Sequence, residues 1–507
     1  MSQQSMDSAV PEIRLRAANS APVHVDAEYV LYWMTAHRRT RRNFSLERAV
    51  DWATSLKKPL VVFEPLRCDY PWACDRFHQF VIQGMADNAS RLERTPATYF
   101  PYLEREPGQG RGLLAALAKL ACLVVGDDYP CFFLPRMVAS AAKQLPVRLE
   151  LVDSNGLLPL RAADKVFARA FDFRRFLQRE LHEYLVDFPT EDPLKDAKLP
   201  KLASLPTDIT KRWPAADVAK IAADSAQLAD FPIDHTVAPA PYAGGPVAAE
   251  KRLVEFLALH FDTYDEARNH PDEDATSGLS PYLHFGHIAA HEIFTAIMER
   301  ERWSLGKIAK QKPTGSSQGW WNVSPSAEGF LDQFITWREL GFNLCSHRDD
   351  YDRYESLPDW AQTTLAEHAG DKRQFVYSLA EFDAAATHDP LWNAAQRQLR
   401  REGRIHNYLR MLWGKKILEW TASPQDALAV MIELNNKYAL DGRDPNSYSG
   451  VFWTLGRYDR AWGPERPVYG MIRYMSSDNT RRKLDLKRYL EKHGPESQSQ
   501  SAQGYLW

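Results

Sequence analysis

Between Tyr29 and Leu160 the chain alternates short apolar runs with amphipathic stretches, and this alternation narrows its fold more than any other feature. YVLYWM (29–34), PLVVF (59–63), LACLVV (120–125), CFF (131–133) and VRLELV (147–152) read as strands, rich in β-branched and aromatic residues. FSLERAVDWATSL (44–56) and GLLAALAKL (112–120) repeat their apolar residues at helical spacing between them. Strands that take turns with helices predict a parallel α/β sheet with right-handed crossovers. No GxGxxG or GxxxxGK[ST] follows the first strand, so nothing there supports a dinucleotide or P-loop site.

The 507 residues are enough for two or three domains. Residues 1–24 read as a flexible tail and 25–160 as the α/β domain. Residues 161–248 read as a connection that starts helical and ends in the loop-forming HTVAPAPYAGGPVA (235–248). From 249 to 493 helical patterns run almost unbroken, and the polar GPESQSQSAQGYLW (494–507) reads as a disordered tail. The expected fold class is an α/β N-terminal domain with a parallel, Rossmann-like sheet, followed by an all-α C-terminal domain.

Composition removes several classes of function. Net charge is -3, so any nucleic-acid face must be local. The five cysteines show no CxxC pair and no Cys/His ligand spacing, so no zinc or iron–sulfur site is expected; they suit reduced thiols. The N-terminus lacks the apolar segment of a signal peptide, and no stretch reaches 18 uninterrupted apolar residues. The expectation is a cytoplasmic protein, monomeric and without a membrane span.

Aromatic residues reach 12%, with 15 Trp, more than packing usually requires. Trp392, Trp413 and Trp420 lie in THDPLWNAAQRQLRREGRIHNYLRMLWGKKILEW. Trp413 and Trp420 are seven residues apart, one face of a helix and about 10 Å along its axis. Such indoles either fill a core or form a file that relays electrons. Thr276, Ser277, Gly278 and Ser280 precede a helical run, where small hydroxyls and free N–H groups make either a plain cap or an anion site. Gln333 and Trp337 share a face of FLDQFITWREL; Trp337 is a stacking platform or core. Asn435, Asp441, Asp444 and Asn446 gather around a glycine turn that ends at Trp453, the pattern of a capped loop or of a pocket for a planar ligand. Residues 397–416 carry seven Lys/Arg against one acid, and 471–492 seven against three. Runs like these are solvated helix faces or a grip on phosphates.

TSGLSPYLHFG, THDPLWNAAQ, KKILEWT and LDGRDPN…W…RPVYGMIRYM, in that order, resemble the photolyase/cryptochrome family, most closely class II cyclobutane pyrimidine dimer photolyases. The likeness is strong over about 250–475 and consistent over 28–160. It implies a non-covalent FAD in the helical domain. Tyr264, Thr276, Ser277, Leu279 and Ser280 match the phosphate-binding stretch, and Arg338, Asn343, Asp441 and Asp444 match other flavin contacts. Asn435 matches the residue facing flavin N5, with the Arg410–Asp441 ion pair beside it. Trp420, Trp413 and Trp392 match the electron-transfer chain. Trp337 and Trp453 match the aromatic walls of a pocket for a flipped-out dimer; Met411 lines that pocket, and Arg460 matches a substrate contact. The implied activity is a light-driven carbon–carbon lyase acting on UV-damaged DNA.

Two departures stand out. Gln333 occupies the position of the family's active-site glutamate; its amide donates a hydrogen bond but cannot transfer a proton. The loop VGDDYPCFFLPRM differs from the usual one, which leaves the identity of a second, antenna chromophore open. A cryptochrome-type photoreceptor with the same FAD and tryptophans is therefore a second reading. A (6-4) photolyase is a third, though no histidine is placed for its proton transfer; His284 and His287 fall in the flavin-binding segment.

Overall fold

The alternation does build a sheet. In the computed structural model, which describes residues 8–310 and 312–495, six strands are ordered β1-β6-β5-β2-β3-β4. They are β1 (Leu15–Ala17), β2 (Tyr29–Trp33), β3 (Leu60–Leu66), β4 (Thr98–Leu103), β5 (Ala121–Asp127) and β6 (Leu149–Val152). All neighbours pair parallel except β1, which runs antiparallel along the β6 edge. Within the stretch expected to be a loose tail, Glu12–Arg14 is thus a 3-10 turn and Leu15–Ala17 a strand. Residues 496–507, most of the expected C-terminal tail, lie outside the described residues, as do 1–7.

Side chains alternate across the sheet. Tyr29, Leu31 and Trp33 point to a core with Leu113, Leu117 and Val138; Val30 and Tyr32 point to one with Phe44, Leu46 and Ala49. These partners come from α1 (Phe44–Leu56), α3 (Leu113–Ala118) and α4 (Leu134–Gln144), so helices cover both faces, as a parallel sheet requires. The remaining helix of this layer, α2 (Asp75–Leu92), was not signalled by the sequence. Asn43 caps α1 by accepting from the Ser45 and Leu46 N–H groups, worth about 1 kcal/mol.

CFF (131–133) is not a strand. It is a turn into α4, with Phe132 at φ 62°. Phe132 and Phe133 line a cavity rather than extend the sheet.

By contact density the chain divides into one unit of residues 1–262, 277–351 and 443–447 and a second of 263–276, 352–442 and 448–507. The divisions fall at different places from the sequence-derived boundaries, because the chain returns to the first unit twice. The second unit is helical, built around Pro390–Glu402, Asn407–Glu419 and Pro424–Tyr438. Among the described residues no helix is long and apolar enough to cross a membrane, and all five cysteines are free and buried.

Candidate active site

In the second unit Trp413 sits within the Asn407–Glu419 helix and Trp420 is its C-cap. Trp392, on the Pro390–Glu402 helix, touches both. Its ring is nearly parallel to Trp413, at 6.4 Å and 5°, and edge-on to Trp420, at 6.1 Å and 67°. Trp392 is therefore the middle member, only 1% exposed, and cannot be a surface exit. The indole N–H of Trp413 donates to Gln396 Oε1 at 2.9 Å, and that of Trp392 to the Trp413 carbonyl at 3.0 Å. Trp420 in turn packs against His388 (4.8 Å) and Tyr377 (5.8 Å). The Tyr377 hydroxyl lies 2.7 Å from Nδ1 of the exposed His388. The sequence reading missed these two residues, although the histidine lies inside THDPLWNAAQ.

On the same helix Arg410 Nη2 donates to Asp441 at 2.9 and 3.3 Å. Asn435 is buried, its amide 3.4 Å from Asn436 Oδ1, and Asn436 donates to the Tyr448 hydroxyl. Met411 is half-buried, with its methyl facing Gly450. Tyr264 is buried under the Arg268 guanidinium.

Trp453 stands above Lys415, the first residue of KKILEWT, to which the sequence reading gave no role. Lys415 is fully buried, donates from Nζ to the Thr454 carbonyl at 2.7 Å, and lies 5.0 Å from the centre of the Trp453 ring. Burial, with a smaller contribution from Arg473, pushes its ammonium down to about 7 against the pull of Asp459. Arg473 bridges the Trp453 and Trp462 rings, at 5.4 and 4.0 Å, and is held by Asp459; Arg460 lies over Trp462 at 4.4 Å. The guanidinium–indole ladder leaves Arg460 exposed at its end.

In the first unit, FLDQFITWREL is not a plain helix. Pro325–Leu331 is α-helical, Asp332–Trp337 is π-helical, and Arg338–His347 is α-helical again. A π-bulge widens the turn, so the simple four-residue spacing of Gln333 and Trp337 does not hold; such bulges concentrate at functional sites. Both residues are half-buried, while Asp332 is taken up by Arg174 at 2.7 and 3.2 Å. Arg338 is buried, donates to the Asn155 carbonyl and, among the described residues, keeps Nη1 without a hydrogen-bond partner. Asn343 accepts from the Phe167 N–H and donates to the Lys165 carbonyl, tying that segment down.

Asp444 accepts from the Tyr129 hydroxyl (3.0 Å) and the Asn446 N–H (2.8 Å), with His284 Nδ1 at 3.4 Å. Burial works against its charge, but His284 and Arg338 outweigh it and hold the carboxyl below its ordinary range. Arg252 Nε donates to the Ser277 carbonyl at 2.7 Å, and Leu279 N–H reaches Ser277 Oγ at 3.4 Å before the Ser280–His284 turn. Gly278, at φ +66°, lets Arg252 approach; a Cβ would sit 2.8 Å from its Nε.

A cavity of about 540 Å³ opens at the carboxyl ends of β2, β3, β4 and β5. Trp33, Arg38, Tyr70, Phe133, His284 and Arg443 are among its lining. Open parallel sheets bind ligands at this edge.

The basic runs behave differently from their sequence promise. Arg404 pairs with Asp274, Lys416 with Glu419, Arg481 with Asp389 and Lys492 with Glu402, so much of that charge is neutralised internally.

The fold is similar to that of a bacterial class III photolyase from Agrobacterium tumefaciens, with a TM-score of 0.65 at 16% identity over 94% of this chain and 88% of that one. No protein-family model matches the sequence. Deoxyribodipyrimidine photo-lyases do: that of Methanothermobacter thermautotrophicus is 34% identical over 94% of this chain and 97% of its own length. Those of Oryza sativa and Potorous tridactylus are 33% and 32% identical over 91% and 92% of this chain and 86% and 81% of theirs. The chain therefore belongs to the photolyase/cryptochrome family, whose members are flavoproteins, and groups with its DNA photo-repair lyases.

Proposed function

We propose that this protein splits cyclobutane pyrimidine dimers in UV-damaged DNA, using FAD. The observation that carries the reading is the contact file Trp413–Trp392–Trp420, in which Trp413 shares its helix with Arg410, the partner of Asp441, and Trp392 enters from the Pro390–Glu402 helix. When bound, fully reduced FAD supplies the light-excited electron that opens the cyclobutane ring.

Each unit, taken by itself, offers groups of the chemistry such a cofactor needs. Arg338 Nη1 is a buried donor without a partner among the described residues, and Arg410 is a cation held in place by one carboxylate. Asn435 offers a neutral amide that donates or accepts, and so tolerates a neighbour whose charge changes. Tyr264, Thr276, Ser277, Leu279, Ser280, Asp441 and Asp444 are the further residues assigned to cofactor binding by resemblance, and Arg252 fixes the backbone of their central loop. Asn343, also matched to a flavin contact, spends its amide on the Lys165–Phe167 backbone, which argues for a supporting role.

Trp392 passes an electron between Trp413 and Trp420, and Tyr377 with His388 forms the rim of that relay. Trp337 and Trp453 each offer a stacking face to a lesion base, worth about 1–3 kcal/mol. Gln333 donates a hydrogen bond to a pyrimidine carbonyl. Met411 supplies an apolar contact, and Arg460 a cation for the DNA. The cavity at the sheet edge suits a planar second chromophore, because its walls are aromatic.

Purified protein should carry FAD that blue light reduces in the presence of a thiol. Protein that folds but retains no FAD would sink the reading. Gln333 keeps a blue-light receptor as the second reading, separated from the first by whether dimers are repaired.

A further inference from the structure

The first unit holds a second cavity of about 540 Å³, lined by Lys165, Arg175, Arg179 and Lys312 with Asp172 as its one carboxylate. Asp172 is engaged by Arg169 at 2.7 and 3.1 Å, and Arg179 pairs with Glu180. Lys165, Arg175 and Lys312 are exposed and, among the described residues, form no ion pair and no side-chain hydrogen bond. Three unneutralised cations around one opening is the reverse of the basic runs at 397–416 and 471–492, where acids from elsewhere in the chain answer many of the charges.

The cavity is tied to the π-helical segment at both ends. Its floor helix α5 (Ala170–Glu180) binds that segment through Arg174 and Asp332. The Lys165–Phe167 segment is bound by Asn343, on the helix that continues the π-helical segment. Phe167 and Phe176 are buried beneath the cations, so no stacking platform is exposed in the lining. A site with donors on long stems, no free acceptor and no open aromatic face can hold phosphate oxygens but cannot read base edges.

We propose that this cavity is a phosphate-binding subsite that grips the DNA backbone flanking the lesion. The proposal rests on the photolyase reading and adds a contact remote from the chemistry. A free polyphosphate would satisfy the same cations, and the test separates the two sources.

The full-length Arg175→Gln/Lys312→Gln variant changes only exposed side chains. It should bind a dimer-containing duplex roughly tenfold more weakly at moderate salt, and its slope of log affinity against log salt should be shallower by about 1–2. Affinity for a dimer-containing dinucleotide, and the repair yield once bound, should match the wild type. Titration with sodium pyrophosphate gives the second arm. Unchanged duplex binding with loss of pyrophosphate binding would retain the anion site and overturn its assignment to DNA. No difference in either assay would overturn the proposal. Failure of the photolyase reading would look different, because the wild type itself would not prefer damaged duplex.

Discussion

Trp392 lies parallel to Trp413, 6.4 Å between ring centres, and donates its indole N–H to the Trp413 backbone carbonyl. One hydrogen bond thus fixes both the spacing and the tilt of two indoles from different helices. Because Trp392 also touches Trp420, it is the obligatory middle of the file. Trp392→Phe should slow blue-light reduction of the bound flavin by at least an order of magnitude, measured by loss of flavin absorbance under constant light. Trp420→Phe should act less strongly, because two members remain joined. An unaltered rate in Trp392→Phe would mean the electron takes another route.

Lys415 makes stability depend on pH in a direction opposite to most lysines. Its folded pKa, near 7, lies below its ordinary value of 10.5. Between those values the unfolded chain binds more protons than the folded one, so stability rises with pH across this window, by at most about 1.4 kcal/mol per unit. Below pH 7 the cost of the buried charge is present in full. Lys415→Met should flatten this dependence between pH 7 and about 10, read as the difference in urea midpoints between variant and wild type. Parallel curves would place the ammonium in contact with solvent.

Gly286, in the TSGLSPYLHFG motif, is held at φ +70° with its α-carbon against β2's outgoing loop; a Cβ would lie 2.0 Å from the Ala36 carbonyl oxygen. Gly286→Ala should cost the left-handed penalty of about 1–2 kcal/mol and a larger steric cost besides. Gly319→Ala is the control. Its φ is +82° but nothing lies within 4 Å, so only the backbone penalty applies. Equal thermal shifts in the two variants would show that the close approach to Ala36 relaxes freely.

In the proposed repair reaction, Gln333 donates to a substrate carbonyl without titrating. Gln333→Glu should therefore introduce a limb into the pH profile of repair, with the rate falling as the new carboxyl loses its proton. Gln333→Leu should lower the repair rate at every pH, by roughly 10- to 150-fold for a lost charge-assisted hydrogen bond of about 1.5–3 kcal/mol. Steady-state repair rates across pH 5.5–9 decide it; superimposable profiles for all three proteins would remove Gln333 from the chemistry.

The sheet was legible where strands are buried on both faces and so read as apolar runs: β2, β3, β5 and β6. β4 escaped because TYFPYL carries a proline, and β1 because a three-residue edge strand with Arg16 and Ala17 exposed has no apolar signature. CFF misled because Phe132 and Phe133 are apolar to line a cavity, which sequence cannot distinguish from a strand. The tryptophan file was legible as a motif but not in its order, since Trp392 enters from a second helix. The charge runs misled because the acids that answer them, such as Asp274 and Asp389, come from other segments of the fold. Lys415 was hidden inside such a run, and the unpaired cations at 165, 175 and 312 are too scattered to form one.

The most direct test mixes the reduced protein with an oligonucleotide carrying a single thymine cyclobutane dimer, under blue light and in darkness. Intact thymines should reappear only in the light. Persistence of the dimer in illuminated samples, with FAD bound and fully reduced, would contradict dimer repair and leave the photoreceptor reading in its place.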